Sequence, residues 1–443
     1  MRKKIPFSTD WRYYQRKIRA RDKRKSIVRR LPLLALYSVC SFLILVFLFY
    51  VATSLTDHLS QAGHVPSDKG DPVAGIGEEN RSKDLFVSPK DLNLNDLPLT
   101  ADLVVEREGD RFFIKTSIDR VLQEYTLGLL KNSETIQAAA VVLRPKDGRI
   151  LAMASHEKGA SQENLCLKAD FPAASLFKIV SAAAALESAG FTPDRPVFYV
   201  GRKYTLYKGQ LRKRTGKYAA KISFREAFAS SINSVFGKLG IHNLGREMMS
   251  EYADRFLFNR PIPFDLPVDT STTHIPDDDY GLAEIACGFN RHTRISPLHA
   301  ALLASAAVNN GVIMEPFLVE RISNEYGEIL YQRQPVPLAS PITRRTAEGL
   351  KILMLETILT GTCRKTFKWL RRKEVFKDVD LGAKTGNIND KTDRFKYDWL
   401  LAYAIPPNGD EAICVAVLSV HGKALGVRAY RLARKIINFC LES

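Results

Sequence analysis

Cysteine pairs, clustered histidines and long apolar runs are all scarce in these 443 residues, and each shortage excludes something. The six cysteines contain no C-x-x-C pair. Cys40 lies in an apolar run, and the remaining Cys166, Cys287, Cys363, Cys414 and Cys440 are odd in number, so no disulfide framework is expected. The eight histidines are scattered, with neither H-x-H nor H-E-x-x-H, and neither a metal site nor a cofactor is expected.

Charge is missing altogether from residues 31–55, "LPLLALYSVCSFLILVFLFYVATSL". At 1.5 Å per residue this run exceeds the roughly 30 Å hydrocarbon core of a bilayer, so one transmembrane helix is expected here. A cleaved signal peptide is the rival reading, but its apolar region usually runs to only about 7–15 residues. Residues 1–30 hold thirteen Lys or Arg against Asp10 and Asp22, which marks a cytoplasmic tail before an uncleaved signal anchor and places the rest of the chain outside. The tail's +11 subtracted from the whole-chain +17 leaves +6 for residues 31–443, so the basic excess is mostly topological and calls for no nucleic-acid partner.

Residues 56–102, rich in Asp, Ser, Gly, Pro and Asn, read as an extracytoplasmic stalk, with the globular domain at residues 103–443. A short strand and a helix with Ile118, Leu122, Tyr125 and Leu129 on one stripe are expected first, then two strands in "QAAAVVLRPKDGRILAMAS" turned at Pro145 to Gly148. Residues 175–310 read as mostly helical. "DLGAKTGN", "DWLLAYAIP" and "AICVAVLSV" return to strands before a final amphipathic helix. The pattern implies an α+β domain: one antiparallel sheet built from both ends of the domain, with a helical lobe inserted and a cleft between them.

Three motifs carry chemistry. In "AASLFKIVSAAAALESAG" a helix is expected from about Ser175, with Lys178 one turn along on the same face. The hydroxyl would lie at the positive end of the helix dipole, and a desolvated, neutral amine at 178 can take its proton. Against this stands a helix cap with a snorkelling lysine, and the chain has a second S-x-x-K at Ser155 to Lys158. In "ASSINSVFGKLG", Ser231 and Asn233 are either a proton relay and a carbonyl holder aimed at one cleft, or a capping serine and a turn asparagine. In "GAKTGN", Lys384 would bring positive charge for a carboxylate and help keep Lys178 neutral, Thr385 follows it, and Gly386 removes a Cβ that would block an extended ligand. The acid-free stretch "GRKYTLYKGQLRKRTGKYAAK" holds an R-T-G decoy at Arg214 to Gly216 and reads as a solvated hairpin, with an anionic glycan or lipid headgroup as its possible ligand.

In this order and setting the three motifs resemble those of the penicillin-binding transpeptidases, the serine acyltransferases that cross-link bacterial peptidoglycan. "TSIDRVLQ", "AAAVVLRPKDGRILAMAS", "ISPLHAALLASAAVNNGVIMEPFLV" and "AKTGN" with "YDWLLAYAIP" extend the resemblance from about residue 110 to the end. It implies a β-lactamase/transpeptidase-like fold: a five-stranded antiparallel sheet flanked by helices, with a helical subdomain. By motif, Ser175 is the implied nucleophile, Lys178 its general base and Ser231 the proton shuttle. Asn233 would bind the donor peptide. Lys384 and Thr385 would hold the terminal carboxylate of a D-Ala-D-Ala stem, and the N–H groups of Ser175 and Asn387 would form the oxyanion hole.

The resemblance further implies peptidoglycan stem peptides as substrates, β-lactams as acylating inhibitors and a single-pass location in the bacterial inner membrane. No glycosyltransferase domain is apparent in the chain, so a separate peptidoglycan glycosyltransferase is a candidate partner. Three positions depart from the family pattern: Ala174 stands where glycine commonly precedes the serine, "CGFN" at Cys287 to Asn290 replaces a G-Q-G segment, and Asn387 replaces a threonine. A D,D-carboxypeptidase or β-lactamase of the same superfamily, and a non-catalytic sensor or scaffold, are the alternatives.

Overall fold

The computed structural model describes residues 88–442 apart from 93, 95–97, 160–162, 214, 215 and 217. The expected tail, anchor and most of the stalk lie outside the described residues. Among the described residues, no helix is long and apolar enough to cross a membrane.

Two strands, β1 (Asp102–Arg107) and β2 (Asp110–Thr116), lead to α1 (Arg120–Lys131), which Asp119 caps by accepting from Leu122 N–H. The expected strand pair follows as β3 (Gln137–Leu143) and β4 (Ile150–Glu157), and the buried helix α2 (Lys178–Glu187) comes next. The lobe then comprises β5 (Pro196–Tyr199), β6 (Ala220–Ser223), α3 (Phe224–Ala229), α4 (Asn233–Leu239), α5 (Gly245–Arg255) and α6 (Asp279–Ala286). Helix α7 (Pro297–Val308), strands β7 (Val319–Ser323) and β8 (Ile329–Gln332), and α8 (Arg344–Leu359) lead back to the sheet. It is completed by β9 (Asp380–Asn389), β10 (Lys396–Ile405) and β11 (Ile413–His421), and α9 (Ala429–Glu442) ends the described chain.

The main sheet is antiparallel with strand order β9-β10-β11-β3-β4, so both ends of the domain do build it, and β9 is one edge. Alternation along β10 divides the core. Trp399, Leu401 and Tyr403 face α2, α7 and the lobe, whereas Leu400, Ala402 and Ala404 face α1 and α9. Helix α7 is buried at nearly every position, which matches a segment apolar all round, and Ser296 caps it by accepting from His299 N–H.

A second sheet of order β1-β2-β7-β8 was only half legible: β2 was expected, but β1 is exposed at most positions and shows no apolar alternation. Packing also extends N-terminal of the expected boundary at residue 103, because Leu92 and Leu94 are buried in the main core. That part of the expected stalk therefore belongs to the folded body.

Buried Asp398 ties α9 to the sheet: it accepts from Arg428 Nε at 2.6 Å, from Arg428 Nη2 at 2.9 Å and from Ala429 N–H at 3.0 Å. Burial alone would raise its carboxyl, but His421 at 3.7 Å together with the Arg428 and Ala429 donors holds it below the ordinary 3.8. Replacing Asp398 by Ala strands a half-buried guanidinium and is expected to cost about 3 kcal/mol in urea unfolding. Because the folded-state pKa is the lower one, this stabilisation is complete above pH 3.8 and fades as pH falls through the folded-state value.

Candidate active site

The chain enters the site in extended form. Residues Phe171 and Pro172 pair with Arg294 and Ile295, Trp399 Nε1 on β10 donates to Pro172 O at 2.9 Å, and Ala173 N–H donates to Thr293 O at 2.9 Å. A 3-10 turn, Ala174–Phe177, precedes α2, so the regular helix starts at Lys178 rather than at Ser175. The reason is local: Ala174 has φ +49°, a left-handed conformation that a helix start cannot use and that costs an L-residue about 1–2 kcal/mol. A glycine would adopt it freely.

Lys178 is fully buried, and its Nζ has three partners: Ser175 Oγ at 2.8 Å, Asn233 Oδ1 at 2.9 Å and the Cys287 carbonyl at 2.5 Å. Two of these are carbonyl-type oxygens, which can only accept. A neutral amine has two N–H groups and one lone pair, so filling both acceptors turns the lone pair towards Ser175 O–H. Burial pushes Lys178 down to about 8, and the ring of Phe236 lies 5.6 Å from the nitrogen.

Lys384 on β9 is also fully buried, donating to Ser231 Oγ at 3.0 Å and to Thr385 O at 2.7 Å. Its partner Ser231 carries φ +52° directly after α3, and Asn233 opens α4 two residues later with Nδ2 donating to Tyr204 O at 3.1 Å. The hydroxyl and amide of the Ser-Ile-Asn motif thus each contact one of the two lysines. Lys384 is held well below its ordinary value, first by burial and then by the charge of Lys178. No carboxylate pairs with Lys384 among the described residues, so none offsets that burial.

Thr385 points to the opposite face of β9, where its Oγ1 meets Thr362 Oγ1 at 2.8 Å. Gly386 returns to the Lys384 face, and a Cβ there would lie 3.4 Å from both Ser175 N and Leu176 N, filling the space beside the Ser175 backbone. Asn387 is next on the same edge strand, opposite Asp398. The decoy Ser155 is elsewhere, on β4 at the far edge of the sheet, with its hydroxyl accepting from Leu165 N–H and lining a separate cavity of about 760 Å³. Arg214 and Thr215 of the other decoy lie outside the described residues.

A profile described as "Penicillin binding protein transpeptidase domain" matches residues 138–438. The chain belongs to this family. Among its penicillin-binding relatives, peptidoglycan D,D-transpeptidase PbpA of Mycolicibacterium smegmatis is 25% identical over 73% of this chain and 70% of its own. Stage V sporulation protein D of Bacillus subtilis is 25% identical over 64% of this chain, which spans only 45% of that protein. Among solved structures, the D,D-transpeptidase domain of a peptidoglycan glycosyltransferase from Eggerthella lenta superposes with a TM-score of 0.61 at 22% identity, covering 74% of this chain and 82% of that one. PBPA from Mycobacterium tuberculosis does so with 0.60 at 23%, with the same coverage. These likenesses establish the shared fold.

Sequence reasoning missed several parts of this penicillin-binding site. The Cys287 carbonyl and the Thr362 hydroxyl carry no signal in one dimension, since any residue has a carbonyl and "GTC" reads as a plain loop. Gly288 had a signal in its departure from G-Q-G. It has φ +65°, and a Cβ there would come 1.9 Å from Ala174 O and 3.0 Å from Ser175 N. Gly288→Ala is therefore expected to push the nucleophile's backbone out of line and to slow acylation by a fluorescent penicillin about 100-fold. Conversely, Ala174→Gly relieves the left-handed strain, and a gain of about 0.5–1 kcal/mol in unfolding free energy is expected after the glycine's extra unfolded-state entropy is subtracted.

Proposed function

We propose that this chain is a serine D,D-transpeptidase that cross-links peptidoglycan stem peptides through an acyl-enzyme on Ser175. One observation carries the reading: the buried Lys178 amine, 2.8 Å from the Ser175 hydroxyl, has its other two acceptors arranged so that its lone pair faces that hydroxyl. Family membership and relatives named as peptidoglycan D,D-transpeptidases support it.

In this reading the lone pair of Lys178 takes the Ser175 proton while Oγ attacks the carbonyl carbon of the penultimate D-Ala. Charge gathers on the carbonyl oxygen, facing the N–H groups of Ser175 and Asn387 at the point where Gly386 lets strand and turn approach. The proton passes through Ser231 to the departing D-Ala amine, leaving a serine ester. An acceptor amine then attacks the ester, the protons retrace their path, and Ser175 is regenerated as the new peptide bond forms. Asn233 holds the donor peptide and Lys384 takes the terminal carboxylate, which Thr385 would join from the border of the edge strand once its hydroxyl turns from Thr362.

The depressed amine at Lys384 gives carboxylate binding a second consequence. An arriving carboxylate favours the ammonium form of Lys384, and that charge disfavours a second one on Lys178, which favours the neutral base beside a bound substrate. The expected anchor at 31–55 would hold the domain outside the inner membrane of a bacterium, where an uncross-linked glycopeptide is available and a glycosyltransferase would supply it. Penicillin and its relatives would acylate the same serine.

Labelling with a fluorescent penicillin tests the assignment. The unaltered chain and Ser155→Ala are expected to retain a long-lived label and Ser175→Ala to lose it; rapid loss of the label by turnover would indicate a β-lactamase instead. Because acylation needs the neutral form of a base with a pKa of about 8, its rate is expected to rise about tenfold per pH unit below 8 and to level off above it. A rate flat from pH 6 to 9 would remove Lys178 from the role of base.

A further inference from the structure

From Arg195 to Arg225 the chain contains no acidic residue, and residues 203 and 204 of this stretch lie against Asn233. The backbone of Lys203 and Tyr204 holds the catalytic asparagine: Asn233 N–H donates to Lys203 O at 2.8 Å, and Asn233 Nδ2 donates to Tyr204 O at 3.1 Å. A buried glutamine fixes the loop, with Gln210 Nε2 donating to Val200 O at 2.7 Å and Gln210 Oε1 accepting from Tyr207 N–H at 2.9 Å. Tyr280 Oη donates to Leu206 O at 2.8 Å and braces it from α6. On this rigid base the cations Arg202, Lys203, Lys208 and Arg212 are exposed, and so are Tyr204 and Tyr207, at 61% and 63%.

The basic surface continues past the catalytic residues. Three consecutive residues each hold a different element: Ala229 O accepts from Thr362 N–H at 3.1 Å, Ser230 Oγ from Lys203 Nζ at 3.2 Å and Ser231 Oγ from Lys384 Nζ at 3.0 Å. Just beyond Thr362, Arg364 and Lys365 are exposed. Exposed cations thus occur both on the loop that holds Asn233 and beside Thr362; none of those named forms an ion pair with a described acid, although Lys208 and Arg212 line a pocket that also holds Asp278 and Asp279.

The geometry points to a docking track for the polymer that carries the reacting peptide: an uncross-linked glycan strand bearing carboxylate-rich stem peptides. This rests on the transpeptidase reading. The cations suit the carboxylates along such a strand, and exposed tyrosines give the apolar faces of sugar rings a flat surface to lie on. Neither feature is needed to acylate Ser175 with a small β-lactam, so the two functions separate.

The test uses the full-length chain in detergent micelles, carrying Ser175→Ala where binding is measured, with purified uncross-linked glycan strands as the probe. Arg202→Glu with Arg212→Glu is expected to weaken strand binding at least tenfold, and Tyr207→Ser several-fold. On the Ser175 background the same changes leave fluorescent-penicillin acylation within twofold of the unaltered chain, which also reports correct folding. Lys115→Glu with Arg321→Glu makes an equal charge change on the second sheet, where the two residues are paired across β2 and β7, and is expected to leave strand binding intact. Unchanged strand binding in the Arg202 and Arg212 variant overturns the proposal, as does equal weakening in the Lys115 and Arg321 control. Loss of binding to anionic vesicles with strand binding retained would overturn it in favour of a membrane-facing surface. A chain that binds strands through this loop but is never acylated at Ser175 supports the track and overturns the transpeptidase reading.

Discussion

Two lysine amines buried without a carboxylate between them are the constraint around which the rest of this site is built. Moving Lys178 from an ordinary 10.5 to about 8 corresponds to about 3 kcal/mol of disfavoured charge, a large share of the 5–15 kcal/mol by which domains are typically stable. Such a cost is tolerable only when neutral oxygens meet every donor, and they do: a hydroxyl, an amide and a carbonyl for Lys178, and a hydroxyl and a carbonyl for Lys384. A carboxylate in either place would have been cheaper for folding. It would also have fixed the positive charge and abolished the base.

Close backbone approach is the second condition. The turn at Ala174, the loop at Gly288 and the strand at Gly386 converge on Ser175, with Trp399 anchoring the approach from the middle of the sheet. Glycine is needed at 288 because a methyl group there would occupy the Ala174 carbonyl, whereas at 386 the methyl would only narrow the space beside Ser175 N. Alanine at 174 shows that the strained conformation can be imposed on a residue that does not favour it, provided the surrounding packing determines it.

How much of this could be read in one dimension follows from the range of each interaction. Ser175 and Lys178 are three residues apart, and their contact needed only a helical turn. Helix α1, the strand pair β3 and β4 and the three late strands followed from periodicity, and the sheet built from both ends of the domain followed from their order. The bond from Lys384 to Ser231 spans 153 positions, so only the motif pattern suggested it. What was illegible depended on burial or on main-chain atoms: the Cys287 carbonyl, the Thr362 hydroxyl and the exposed strand β1. The basic stretch after Val200 was legible as a hairpin with an anionic ligand among its options, but its attachment to Asn233 was not.

Strand β9, which carries Lys384, Thr385 and Gly386, ends the main sheet with one side unpaired. A peptide laid along such a border is read by its main-chain amides, whose spacing is indifferent to the side chains they bear. A border of this kind can hold extended chains that differ in their middle residues.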